Sequence, residues 1–294
     1  NDWLETIIAL PEQMFYNTGI GTYIWVVTNR KNPQRKNQVQ LIGARERWKP
    51  MRRSLGDKRR YLGDDDLIST TQEHGNFVES PTSKIFDNDD FGYNRVPIER
   101  PLRLLYQMSV ERKSNFLDAV PHLLDDVQAI DRELGREPRP DWSAFDRLMS
   151  DLLERRASKW KAPERKLFRD VFAERHPEAA PVILKERKAS GDRLARVWGW
   201  FPFGKIERMY EPDSQLRDAE NVRLKEDVAE YFLREVEPHV SDAWADGEKI
   251  QRAYEINFNR HFYTYTSPRP LAEIDADIKK MEEEIVRLLR EVTA

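Results

Sequence analysis

Near the end of the chain, Leu271, Ile274, Ile278, Met281, Ile285, Leu288 and Val292 recur at alternating spacings of three and four. That is the a/d seam of a helix kept over three heptads. It predicts a long coiled-coil-like helix over 270–293, with Pro270 in the first turn, where a missing N–H is tolerated. Asp275 with Lys279 and Glu283 with Arg287 support it at i,i+4 spacing. So narrow a stripe suits one or two partner helices, and periodicity leaves open whether they belong to this chain or to another. Phe145, Leu148, Met149, Leu152 and Leu153 form a second helical stripe, and Leu167, Phe168, Val171 and Phe172 a third. Both read as core. Helical patterning runs from Ser109 to about Lys188, divided into short helices by prolines such as Pro121, Pro140 and Pro163. A further helix is predicted over Asp65–Phe77, with acids at the positive end of its dipole. Trp198 to Gly204, aromatic and turn-rich, reads as a packed loop.

Strand patterns gather at the other end: Thr6–Leu10, Thr22–Thr28 and Val39–Ile42, the last two joined by a turn at Lys31–Gln34. Thr22–Thr28 is nearly all apolar, which predicts a strand covered on both faces. Short helical turns are expected between Ala44 and Leu55, broken near Pro50, and a β-hairpin or ribbon over Lys84–Leu104. The expected organisation is an α/β portion over 1–60, a helix and β-ribbon over 61–108, a mainly α-helical region over 109–212, and a C-terminal segment over 213–294 that ends in the long helix. Three strands do not complete a doubly wound domain; they would serve as the closing edge of one whose other strands are absent. An apolar strand that begins almost at the first residue suggests a chain cut from something longer.

The 294 residues carry a net charge of only −3, but its distribution is uneven. Between Arg30 and Arg60 there are twelve Lys or Arg and two acids, Glu46 and Asp57. A solvated surface normally mixes the signs, so Arg30, Lys31, Arg35, Lys36, Arg45, Arg47, Lys49, Arg52 and Arg53 are candidates for phosphate contacts whose strength would fall with salt. The absence of cysteine removes disulfides, thiol nucleophiles and thiolate metal sites, in keeping with a cytoplasmic protein. No apolar run reaches the ~20 residues that span a bilayer, so no membrane role is expected.

Most catalytic signatures dissolve on inspection. Asp90-Phe91-Gly92 lacks the Gly-rich and catalytic loops that give the kinase motif its meaning. Asp87, Asp89 and Asp90 do not keep calcium-loop spacing, and the five histidines keep no metal-ligand spacing, so no metal site is expected. Pro140-Asp141 with Glu164-Arg165-Lys166 matches the loose signature of metal-dependent nucleases. In a helix, however, residues i and i+2 point about 200° apart and cannot share a metal.

The stretch Leu10 to Lys31, LPEQMFYNTGIGTYIWVVTNRK, reads differently: a Pro-ended strand, a loop bearing Phe15, Tyr16 and Asn17, then a strand that opens into positive charge. A flat ring at a loop tip beside a basic strip suits a protein that holds an unstacked base next to a phosphate backbone. This stretch resembles the modification (M) subunit of type I restriction-modification systems, an N6-adenine DNA methyltransferase family. Val39–Ile42 looks like that family's following strand, with Gln38 where a Lys is usual and Gly43 where an Asp is usual. Lys84–Leu104, Leu216–Leu224 and Tyr254–Tyr263 resemble later segments in the same order, with Ala219 and Arg223 where the family has Thr and Pro.

The resemblance implies methyl transfer from S-adenosylmethionine to adenine N6 in DNA, with Phe15, Tyr16 and Asn17 as target-base-binding residues. It also implies the closing strands of a Rossmann-like methyltransferase sheet. Implied partners are DNA, a specificity (S) subunit and a restriction (R) subunit, with Leu271, Ile274, Ile278, Met281, Ile285, Leu288 and Val292 as the partner-subunit interface. The family's Gly-rich cofactor loop and its Asn-Pro-Pro-Phe tetrapeptide do not occur in these residues. S-adenosylmethionine is therefore expected in the full-length subunit and not on this portion, which is expected to be inactive alone and to contain no catalytic residue. A different class of reading is a non-enzymatic helical scaffold that binds a protein partner through its last helix.

Overall fold

The computed structural model describes residues 2–263, 265 and 267–293, with the side chains of Val292 and Thr293 outside the described set. It is a mixed α/β structure of two compact units, 1–87 with 256–294, and 88–255.

In the first unit β1 (Leu4–Ala9) is central, antiparallel to β2 (Tyr23–Val27) on one side and parallel to β3 (Gln38–Gly43) on the other. A basic hairpin of β4 (Lys49–Leu55) and β5 (Lys58–Tyr61) follows, then α1 (Asp64–Asn76) and β6 (Ser83–Asp87). β6 lies antiparallel to β3, giving the order β2-β1-β3-β6. Ile8, Leu10, Ile42 and Ala44 form the core beside this sheet. α1 packs along β3, where the buried Gln40 amide donates to the Glu73 carbonyl and to Ser83 Oγ.

The second unit begins with β7 (Gly92–Glu99) and β8 (Leu104–Tyr106). Four helices follow: α2 (Val110–Ala119), α3 (Leu124–Leu134), α4 (Trp142–Arg155) and α5 (Ala162–Phe172). They enclose an aromatic core in which Tyr106 stacks on Phe145 at 3.6 Å and Phe168 meets Phe116 and Phe172. The chain continues as β9 (Ala173–Arg175), paired to β8, then β10 (Ile183–Lys188), β11 (Phe201–Phe203) and β12 (Ile206–Tyr210), which form the sheet β10-β12-β11. β13 (Asp218–Arg223), the short α6 (Val228–Tyr231), β14 (Trp244–Ala245) and β15 (Gln251–Tyr254) complete the unit, all three strands pairing with β7. The chain then returns to the first unit as α7 (Phe258–Phe262) and α8 (Leu271–Thr293). There Phe258 meets Tyr23 edge-on, and Phe262 closes over Gly43.

Four expectations need correction. Thr22–Thr28 forms a strand, but β2 is an edge: among the described residues only β1 pairs with it, and Tyr23, Ile24, Trp25 and Val27 are exposed, Trp25 by 62%. The basic stretch after Ala44 is a hairpin and not helical turns, because Gly56-Asp57 reverses the chain with Gly56 at φ 59° and Leu55 opposite Lys58. Lys84–Leu104 forms strands but no hairpin, since β6 and β7 belong to different sheets. The helical run stops at Phe172, after which Pro177 and Pro181 separate strands instead of helices.

Candidate nucleic-acid interface

The loop between β1 and β2 is closed at its base by the Leu10 amide donating to the Thr22 carbonyl at 2.8 Å and the Gln13 amide to Gly19 at 3.3 Å. An isolated bridge between Phe15 and Thr18 tightens its tip. Phe15 is 45% exposed and Tyr16 63%, and Asn17 is exposed beside them. Large rings left in water at a loop tip lack the burial that normally fixes them in a core. Something else must hold the loop.

The basic hairpin does so. Asp57 N–H donates to the Tyr16 carbonyl at 2.9 Å, and the Arg59 and Arg60 amides donate to the Gln13 carbonyl at 3.0 and 3.2 Å. At Gly56 the approach is close: a Cβ there would lie 2.5 Å from the Tyr16 carbonyl oxygen and 3.2 Å from its ring. Only glycine fits that turn without displacing the loop. The hairpin carries Lys49, Arg52, Arg53, Lys58, Arg59 and Arg60 against the single acid Asp57. The Arg60 guanidinium lies 3.9 Å from the Trp48 ring centroid. Among the described residues no carboxylate pairs with Arg52, Arg53, Lys58 or Arg59. The structure therefore brings Phe15, Tyr16 and Asn17 together with Arg52 and Arg53, and adds Lys58, Arg59 and Arg60. Those three lie in the charged run but beyond the positions singled out from sequence; the Gly-Asp turn that pairs them with Arg52 and Arg53 was the signal that would have found them.

The other basic candidates lie elsewhere. Lys31 pairs with Asp2 at 2.5 Å and donates to the Gln38 carbonyl at 2.7 Å. Arg35 is 8% exposed, paired with Glu5 at 3.2 Å, bonded to the His74 carbonyl and set over the Phe77 ring. Arg47 pairs with Glu73 at 2.8 Å and bonds to Thr70 and Thr82. Arg45 bonds to Tyr23 Oη and Asn259, and Lys49 sits 3.6 Å from Asp65. Arg30 and Lys36 are exposed without a carboxylate partner among the described residues. Lys31, Arg35 and Arg47 thus hold the first unit together, and their charge is already answered from within.

Both nuclease-like carboxylates have an ordinary structural duty. Asp141 caps α4 by accepting from the Ala144 amide at 2.9 Å. Glu164 caps α5 at the Lys161 amide, 2.6 Å, and faces His122 Nε2 at 3.0 Å. The Lys161 amide leads His122 in holding the Glu164 carboxyl below its ordinary range, against burial. No cluster of His, Asp or Glu among the described residues is arranged to hold a metal. On α8, the seam residues Leu271, Ile278, Met281, Ile285 and Leu288 are exposed, and Ile274 is partly so. Val292 is in the helix, but its side chain lies outside the described residues.

Residues 1–91 match the family described as N-6 DNA Methylase. The matched segment holds the aromatic loop, the basic hairpin and the whole sheet of the first unit. Among solved structures, a type I restriction-modification system methyltransferase subunit from Streptococcus thermophilus aligns at 18% identity over 29% of this chain, with a TM-score of 0.25. A superposition that weak carries no argument. The alignment spans only 17% of that subunit's length. No curated protein matches.

N-6 DNA methylases as a family use S-adenosylmethionine. In the first unit, the turn from β5 into α1 at Gly63 is filled by the Lys49 side chain, whose Nζ would lie 2.6 Å from a Cβ there. Three successive aspartates follow in its first turn. Among the described residues no helix is long and apolar enough to cross a membrane.

Proposed function

We propose that this chain supplies the base-holding loop, part of the DNA-backbone contact and a partner-docking helix to an N6-adenine DNA methyltransferase of the type I modification-subunit kind. One observation carries the reading: an exposed Phe15–Tyr16 loop hydrogen-bonded to an unneutralised basic hairpin, within a segment of N-6 DNA methylase sequence. An adenine amino group in a duplex is stacked and paired, so methylation requires the base to be turned out and held flat. Phe15 holds the ring, with Tyr16 and Asn17 beside it, and Arg52, Arg53, Lys58 and Arg59 meet the flanking phosphates. A stacked ring contributes about 1–3 kcal/mol, enough to position a base but not to choose a sequence. Sequence choice then belongs to a specificity subunit docked on the exposed seam of α8, and the restriction subunit joins the same assembly.

S-adenosylmethionine is held by residues other than these. The β2 edge, apolar on both faces and unpaired on its outer side among the described residues, is where strands of the donor-binding half would continue the sheet in Rossmann-like fashion. Alone, the chain does not methylate. In a complete assembly, Phe15→Ala should lower methyl-transfer turnover at least fivefold while duplex affinity stays within about twofold, as expected for loss of one stack. Unchanged turnover removes the base-holding role.

A further inference from the structure

The sheet β10-β12-β11 has no part in the reading above. Its register sets Lys188, Ile206 and Phe203 in one row and, two residues along and so on the same face, Glu186, Arg208 and Phe201 in another. Residues in register across antiparallel strands project to the same face. Phe203 is 54% exposed, and the Arg208 guanidinium lies 3.5 Å from its ring centroid. Arg208 is itself held by Glu186 at 2.9 Å, so the ring is braced in place while presented to solvent.

Cations surround this end of the sheet. Lys205 stands in the β11–β12 turn, whose carbonyl accepts from the Ala189 amide at 3.1 Å, and Arg193 stands in the loop that leaves β10. Glu207, between Ile206 and Arg208 in β12, alternates to the opposite face. Glu207 is buried and accepts from Arg187 Nε at 2.7 Å and Ser190 Oγ at 2.9 Å. Burial raises its carboxyl pKa, and hydrogen bonds from Arg187 and Ser190 outweigh that effect, holding it below the ordinary range. Lys188, Arg193 and Lys205 are exposed, and no carboxylate pairs with them among the described residues. Residues 183–210 contain seven Lys or Arg and three acids, within a unit where acids outnumber them 34 to 30.

We propose that this end of the sheet is a second nucleic-acid contact, where Lys188, Arg193 and Lys205 meet backbone phosphates and Phe203 stacks on a base. A single braced ring among unneutralised cations matches the alternation of flat base and charged phosphate. A lipid surface calls for a wide apolar face, which this end lacks. The contact stands independently of the Phe15 loop.

The test is fluorescence anisotropy of the whole chain with labelled single-stranded and duplex DNA, from about 50 to 200 mM salt. Lys188→Gln with Lys205→Gln should reduce the magnitude of the log–log salt slope by about 1.4 on single strands or about 1.8 on duplex. Phe203→Ala should weaken binding at least fivefold with the slope retained. Circular dichroism checks the fold, and Phe203→Leu replaces the alanine variant should that one unfold. An unchanged slope in the lysine variant overturns the proposal. So does full affinity in the Phe203 variant, because the patch is then a general polyanion surface that heparin would occupy equally. Arg52→Glu with Arg53→Glu in the same titration separates the two sites: if only the Lys188/Lys205 variant loses slope, the hairpin reading fails and this one stands.

Discussion

Gly56→Ala tests whether the basic hairpin holds the aromatic loop. The added methyl must adopt φ 59°, which costs a residue other than glycine roughly 1–2 kcal/mol. It also meets the Tyr16 carbonyl oxygen at 2.5 Å, the same oxygen that accepts from the Asp57 amide at 2.9 Å. Relieving that clash breaks the hydrogen bond, a net loss of about 0.5–1.5 kcal/mol. A total of about 1.5–3.5 kcal/mol falls on a two-stranded hairpin, which is marginally stable by itself, so the hairpin should open locally and the sheet should survive. Amide hydrogen exchange reads this directly. Asp57, Arg59 and Arg60 should exchange roughly 10- to 400-fold faster, while Ile8 and Leu41 in the sheet stay protected. Gly19→Ala is the control: it has nothing within 4 Å of its added methyl and an ordinary φ, and should change none of these rates. Unaltered protection of Asp57, Arg59 and Arg60 in Gly56→Ala would refute the coupling of loop and hairpin.

Arg52→Glu with Arg53→Glu should lower the magnitude of the duplex salt slope by about 0.9 for each phosphate no longer neutralised, and an identical slope would mean that the hairpin faces away from DNA. Asp at both Ile278 and Ile285 should release a co-expressed specificity subunit in a pull-down while the helicity of the chain persists; retention of that subunit would contradict docking on the seam. His74 gives a pH test: burial, then Arg35, hold its imidazole below the ordinary value, against the pull of Glu5. The unfolded chain therefore takes up this proton first, so the contribution is intact above about pH 6.5 and is lost as pH falls from there through the lower folded value. Urea midpoints should drop over that range and drop less in His74→Gln; parallel curves would contradict the sign.

The parts legible in the sequence were those that periodicity or apolar run-length decides. β1 and β3 appear within two residues of their expected ends, and of the two helical stripes Phe145, Met149, Leu152, Leu153, Phe168 and Phe172 are core, whereas Leu148 at the margin of its stripe is 44% exposed. What escaped was partnership. An apolar run such as Tyr23–Val27 reads alike whether a strand is central or at an edge, and only pairing tells them apart. Lys84–Leu104 alternates as a ribbon does, yet alternation does not say which sheet each strand joins. Likewise, a run of basic residues shows charge but not its answer: Arg35 and Arg47 meet acids at positions 5 and 73, far away in sequence, whereas Arg52 and Arg53 meet none among the described residues. The aromatic loop was visible as composition, but its support by the hairpin depends on Gly56, which the helical reading of 44–55 had hidden.

Photo-crosslinking tests the central claim most directly. With 5-iodouracil in place of the target adenine in duplex DNA, a complete methyltransferase assembly containing this chain should crosslink through the peptide bearing Phe15 and Tyr16. That crosslink should disappear in the variant with alanine at both positions. A crosslink confined to other peptides, unchanged in that variant, would contradict the base-holding loop.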